Sequence, residues 1–280
     1  MMRLLQIEAT KLFLNRTTRL LIACYFILIS LIALIAAIKV EIGPIKFQLA
    51  EQGIFNFPYI WHFNTYIVGL MKIFFAIIIV AMASSEYSYK TLKQNLIDGL
   101  SKKEVLYSKV YTMIAFILAS TLFTFIISLI LGFSFSDYTE LGIVFSEMEY
   151  FLAYAVKLFT FFSMCLFLGI WIKRAAFALG FLIVWQMIEG ISFGLMKWKL
   201  SNIIPSLSAE QVFAFFPLNA MSNLIKEPFT RLSGVQNIAN QVGESIDKDY
   251  GLDWGSVLIA LLWVGIFLAL TYRLLQKRDL

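Results

Sequence analysis

Histidine occurs once in this 280-residue chain, cysteine twice and proline five times, and only 15% of the residues carry charge. Each shortage closes off a class of function. A single histidine, His62, supports neither a His-based metal centre nor a relay of imidazoles, and no HExxH is present. Cys24 and Cys165 both fall in apolar runs, without a CxxC or a Cys/His ligand spacing. They read as small buried hydrophobes rather than as a disulfide, a metal site or a redox pair. No G-x-x-x-x-G-K-[ST] occurs, so no loop of that kind cradles nucleotide phosphates, and without a G-x-S-x-G an intramembrane hydrolase has no support. The chain therefore offers no catalytic residue and no metal ligand set.

What is abundant is apolar surface: 60% of the residues are hydrophobic, well above the roughly 45–50% of a soluble domain. Six runs approach the ~20 residues needed to cross a bilayer core: about 20–38, 65–83, 110–134, 151–172, 175–196 and 254–272. The expected fold is an all-α polytopic membrane protein, a single transmembrane domain over 1–280 with six transmembrane helices. With the N-terminus inside, the inner segments carry fourteen basic residues and the outer ones seven, which places both termini in the cytoplasm. The net charge of +5 then belongs to loops facing anionic lipid, with the bilayer as partner and no nucleic acid. Residues 1–19 are too polar to span. Leu5, Ala9, Leu12 and Phe13 recur at helical spacing there, which predicts an interfacial helix. His62, beside Trp61, reads as an interfacial residue at the outer end of the second run. The extracellular segment 197–253 is punctuated by Pro205, Pro217 and Pro228, and its short apolar stretches either re-enter the outer leaflet or form a cap.

The loop over 84–109 is unusually organised. Ser84 and Ser85 close the second run and can cap a new helix, and a short block around Thr91, Leu92, Leu96 and Ile97 is helix-forming. Gly99 stands where a helix ends with positive φ. Ser101-Lys102-Lys103-Glu104 then matches the S-x-x-E capping box. The spacing predicts helix, turn and second helix, with Leu92, Leu96, Ile97 and Leu100 available for contact.

Glu86, Thr91, Leu92, Gly99, Ser101 and Lys109 fall in the order E-x4-T-L-x6-G-x-S-x7-K. This resembles the first cytoplasmic loop of ABC-2 type transporter permeases, the membrane subunits of type V-like ABC exporters. Lys90 stands where that family often has Gly, and Lys102 where it often has Arg. The resemblance implies a permease with six spans, an N-terminal interfacial helix and a coupling helix between spans 2 and 3, rooted by Glu86 and Lys109. It implies docking on a separate ABC ATPase subunit that holds ATP and Mg, pairing with a second permease copy or a paralogue, and residence in the inner membrane of a bacterium. The chain itself would bind no cofactor.

Three ionisable residues lie within the runs: Lys72, Lys157 and Glu189. Each falls six or seven residues in from the outer end of its run, or roughly 10 Å at 1.5 Å per residue. A charge inside the bilayer costs a few kcal/mol and seeks a partner, so Glu189 is expected to pair with Lys157 or Lys72. An alternative reading takes these three as the coupling site of a secondary transporter or channel, although no internal repeat is visible. A further alternative is a non-transport membrane scaffold.

Overall fold

A computed structural model describes residues 2–37, 39–42, 45–48, 53–203, 209–232, 235–236, 239, 241 and 248–277. Residue 38 of the first expected run, residues 204–208 and most of 233–247 in the 197–253 segment, and the tail 278–280 lie outside the described residues. The chain runs α1 (Met2–Leu14), α2 (Arg16–Ala37), a hairpin of β1 (Lys39–Ile42) and β2 (Ile45–Gln48), α3 (Tyr59–Leu70), α4 (Lys72–Ser88), α5 (Thr91–Ile97), α6 (Lys102–Phe135), α7 (Leu141–Val144), α8 (Glu149–Ile172), α9 (Ala175–Ile203), α10 (Ala209–Phe213), α11 (Pro217–Asn223), a 3-10 turn (Phe229–Arg231) and α12 (Trp254–Lys277). The fold is helical, as expected, with one short antiparallel hairpin between α2 and α3, in which Lys39 lies opposite Gln48 and Ile42 opposite Ile45.

Among the described residues, four stretches are long and apolar enough to cross a membrane alone: α6, Leu141–Ile172 (containing α8), Ala175–Trp198 within α9, and α12. Two bent pairs pass the same test together: α1 with α2, turning by 91°, and α3 with α4, turning by 42°. Counting each pair once gives six.

α8 forms the centre. It is apolar nearly all round and buried along most of its length, from Tyr150 and Tyr154 to Phe162, Leu166 and Ile170. A helix hydrophobic on every side belongs inside a bundle. Gly169 lets α4 come close: an ideal Cβ there would sit 2.8 Å from the Ala83 Cβ and 3.1 Å from the Val80 carbonyl oxygen. Small residues at such crossings are how membrane helices pack without a solvent-driven force. Deeper in the bundle, Tyr154 hydroxyl bonds to Tyr25 at 2.9 Å and to Ser120 at 2.6 Å, and Tyr25 also bonds Ser120. This triad links α2, α6 and α8 with mutually satisfied hydroxyls.

Two expectations change here. The run 65–83 forms no straight rod, because the helix starts at Tyr59, breaks at Met71 and resumes at Lys72. The break falls two residues after Gly69, whose bare Cα faces the Lys157 side chain. Ser84 and Ser85 do not cap a new helix. α4 continues through them to Ser88, and their hydroxyls donate to the carbonyls of Ala81 and Met82 at 3.4 and 3.3 Å.

Candidate functional site

At the end of the bundle that carries α5, Lys109 is 1% exposed. Its Nζ donates to Glu8 Oε2 and to Glu86 Oε1, both at 2.6 Å. Lys11 Nζ reaches the same two carboxylates at 3.3 and 3.4 Å. Two acids and two bases are thereby balanced in a knot that ties α1, α4 and α6 together. Buried charges persist only with this kind of geometry, because close pairing and further hydrogen bonds offset desolvation. Burial alone would raise the Glu8 carboxyl, but Lys109 and then Lys11 outweigh it and hold it below the ordinary carboxylate range. A cavity of about 440 Å³ adjoins the knot, lined by Asn15, Thr18, Ser84, Ser85 and Thr91 as well as the charged groups.

The loop leaves this knot as two rigid corners. Lys90 begins α5 at φ 54°, in the left-handed region that costs a residue with a Cβ about 1–2 kcal/mol. A glycine would adopt that conformation without the cost. Gly99 ends α5 at φ 92°, where Gly99 N–H donates to the Leu96 carbonyl at 3.1 Å and Leu100 N–H to the Asn95 carbonyl at 3.0 Å. This is a Schellman turn. Ser101 then opens α6 with a complete capping box: its hydroxyl accepts from Glu104 N–H, and its own N–H donates to the Glu104 carboxylate at 2.8 Å.

The apolar edge expected on the loop is narrower than its residue types suggest. Leu92 is 2% exposed and belongs to the core, so it is not available for contact. Leu96 and Leu100 are half-buried, Leu100 against the core. Ile97 is the apolar side chain turned outward, 69% exposed, among Lys93, Gln94 and Asp98.

The intramembrane charges do not assemble as expected. Glu189 makes no ion pair with either lysine. It accepts from Asn219 N–H at 2.8 Å, Asn219 Nδ2 at 3.3 Å and Trp185 Nε1 at 3.1 Å. Asn219 lies in the first turn of α11, which opens with Pro217. A carboxylate is favourable there because the free N–H groups of a helix start point at it. Trp263 Nε1 donates to the Phe215 carbonyl at 2.8 Å. Nine residues into α12, this contact lies about 13 Å from that helix's start. The α10–α11 segment therefore folds back alongside α9 and α12 instead of sitting over their ends. Lys72 and Lys157 instead lie near the Met71 break on α4 and α8, Lys72 over the Phe161 ring at 4.2 Å and Lys157 toward the Tyr66 ring at 5.8 Å.

At the other end of the bundle, His62 is fully buried within the protein. Its Nε2 lies 2.9 Å from the Lys226 carbonyl oxygen, which can only accept, so Nε2 carries the proton. Nδ1 then accepts from Arg231 Nη1 at 3.3 Å. Arg231 also pairs through both nitrogens with Glu147, at 3.2 and 3.3 Å, and the imidazole stacks on Tyr150 at 4.4 Å. This pins the 226–231 segment onto α3 and α8.

Sequence reasoning missed Glu8 and Arg231. Glu8 did leave a signal, an acid at helical spacing among Leu4, Leu5 and Leu12 on the face of α1 that turns inward. Arg231 left none, because its partners are distant in sequence. A family model described as "ABC-2 family transporter protein" matches residues 6–280. No curated protein matches the chain.

Proposed function

The chain belongs to the ABC-2 transporter family, and we propose that it is the permease subunit of an ATP-driven exporter, worked by a separate ATPase that docks on α5. The observation that carries this reading is the construction of the loop. α5 is fixed between the Schellman turn and the capping box on one side and the Glu86–Lys109 pair on the other. It presents Ile97 outward. A surface fixed that firmly to α4, α6 and α1 suits the transmission of force better than the binding of lipid.

In this reading the α5 end is cytoplasmic, as the distribution of basic residues favours. The spans are α2, α3–α4, α6, α8, α9 and α12, with α1 lying in the inner interface and α10–α11 re-entering from the outside. Two copies, or this chain and a paralogue, pair in the inner membrane of a bacterium above two ATPases that bind ATP and Mg. The alternative of a secondary transporter coupled through Lys72, Lys157 and Glu189 loses support, because Glu189 is engaged with α11 and stands apart from the lysines.

Co-purification from native membranes tests the proposal. A protein with a phosphate-binding loop is expected to co-purify with the chain, and Ile97→Asp is expected to weaken that association about tenfold or more, as for loss of an interface anchor. Because Ile97 is exposed, the variant should keep the wild-type thermal midpoint. Unchanged association would remove α5 from the docking surface.

A further inference from the structure

Lys157 is 6% exposed and lies in the middle stretch of the central helix α8. Among the described residues it has neither a carboxylate partner nor a hydrogen-bond acceptor. Its Nζ lies 4.0 Å from where a Cβ on Gly69 would be, beside the break between α3 and α4. Lys72 is the first residue of α4, directly after Met71, which offers no side-chain cap. Two lysines and the start of a 17-residue helix therefore lie at one break, beside the end of α3. The Phe161 face compensates part of the Lys72 charge, since a desolvated ammonium over a ring gains up to about 2 kcal/mol. Lys157, at 5.8 Å from the Tyr66 ring, gains less. The carboxylate in the neighbouring helix, Glu189, is already engaged by α11.

Access exists from the cap end. A cavity of about 980 Å³ includes Tyr66 in its lining, with Asn219, Ser222 and Asn223 and with Lys226 and Lys248 set among Glu210, Glu227, Asp249 and Asp253. Tyr66 is also the ring that Lys157 approaches at 5.8 Å. Broken helices whose positive ends face a gap inside the membrane bind anionic groups. We propose that Lys72, Lys157 and the first turn of α4 form a binding site for an anionic group, a phosphate or a carboxylate. The transporter reading above makes this group part of the exported molecule or the headgroup of an anionic lipid.

The test uses the full chain, purified in neutral detergent, with two probes. Octyl phosphate stands for a soluble anion, and dioleoylphosphatidylglycerol, compared with dioleoylphosphatidylcholine, stands for a membrane lipid. Binding is counted by native mass spectrometry. The wild type is expected to hold at least one probe about tenfold more tightly than K72Q/K157Q, and K72R/K157R to stay close to wild type, as for loss and retention of a charge-assisted contact. Preference for octyl phosphate identifies a soluble anion, and preference for phosphatidylglycerol a headgroup. Equal binding of both probes to wild type and a folded K72Q/K157Q overturns the site. Should that variant fail to fold, the labelling rate of the Lys157 amine in the wild type replaces it: about tenfold slowing by either probe is expected, and no slowing overturns the site. ATPase co-purification is read on the same preparations. Loss of the anion site with the ATPase still bound, or the reverse, separates failure of this inference from failure of the transporter reading.

Discussion

Replacing Lys109 with methionine is expected to destabilise the protein by about 3–5 kcal/mol, the usual consequence of breaking a buried ion pair from one side. Methionine fills much of the same volume, so the loss is electrostatic rather than a packing defect. Glu8 and Glu86, 2% and 5% exposed, would face each other with only the half-exposed Lys11 between them. In detergent this should appear as a thermal midpoint lower by roughly 5–10 °C. Adding Glu8→Gln and Glu86→Gln should recover most of the loss, since a fully neutral cluster carries no ionic desolvation penalty. The pH dependence has a definite sign. Glu8 is lowered in the folded state, so its contribution is present above the unfolded carboxylate range and is lost only as pH falls through the lowered value. In Lys109→Met burial acts on Glu8 without its main opposing charge, so that carboxyl takes up a proton at higher pH than in wild type, and the gap between the two proteins should be widest near neutral pH and narrow as the solution becomes acidic. A Lys109→Met midpoint equal to wild type would mean that the knot does not hold the three helices together.

Gly169→Leu is the second large effect, and its cause is steric. The first atom of any side chain at 169 meets the Ala83 Cβ at 2.8 Å and, less forgivingly, the Val80 backbone oxygen at 3.1 Å. A leucine must push α4 away from α8 along the contact that also brings Lys72 to Phe161. We expect a cost of about 3 kcal/mol, at the upper end for overpacking because backbone rather than a flexible side chain must yield. Gly180→Ala provides the contrast. It lies inside α9 with nothing within 4 Å of the added carbon, so it should be neutral or gain up to about 1 kcal/mol from helix propensity. Thermal midpoints of the two variants measured side by side decide the matter. If both moved in the same direction, close approach at Gly169 would not be what limits the site.

How much is legible in the sequence depends on the range of the interaction involved. The Ser101–Glu104 box and the Gly99 turn are legible because each closes within a few residues, and backbone chemistry sets its residue types. The apolar runs are legible because their composition alone satisfies the bilayer. The orientation of α5 is not: Leu92 and Ile97 are equally apolar, and only packing against the bundle decides that one is buried and the other exposed. Glu8 escapes notice because its closest partner lies 101 residues away. Glu189 misleads for a different reason. A buried carboxylate is expected to find a cation, whereas this one finds the N–H groups of a helix start 30 residues on. The α3–α4 bend has no proline to announce it, and Gly69 beside a lysine stem is too weak a cue to read in advance.

The two helices that leave the α5 loop differ in mechanical character. α6 runs 34 residues without interruption, a beam of about 51 Å, and the capping box at Ser101 clamps it to the loop. A tilt of only ~5° imposed at its α5 end displaces the far end by roughly 4 Å over that length. α4 gives way to a 42° articulation after 17 residues, so the same torque is taken up in bending at Met71. On the proposed docking of an ATPase at α5, a stroke delivered to the loop would divide unequally. It would be carried as leverage along α6 to the cap end, and as hinge motion along α4 to the Met71 break beside Lys72 and Lys157.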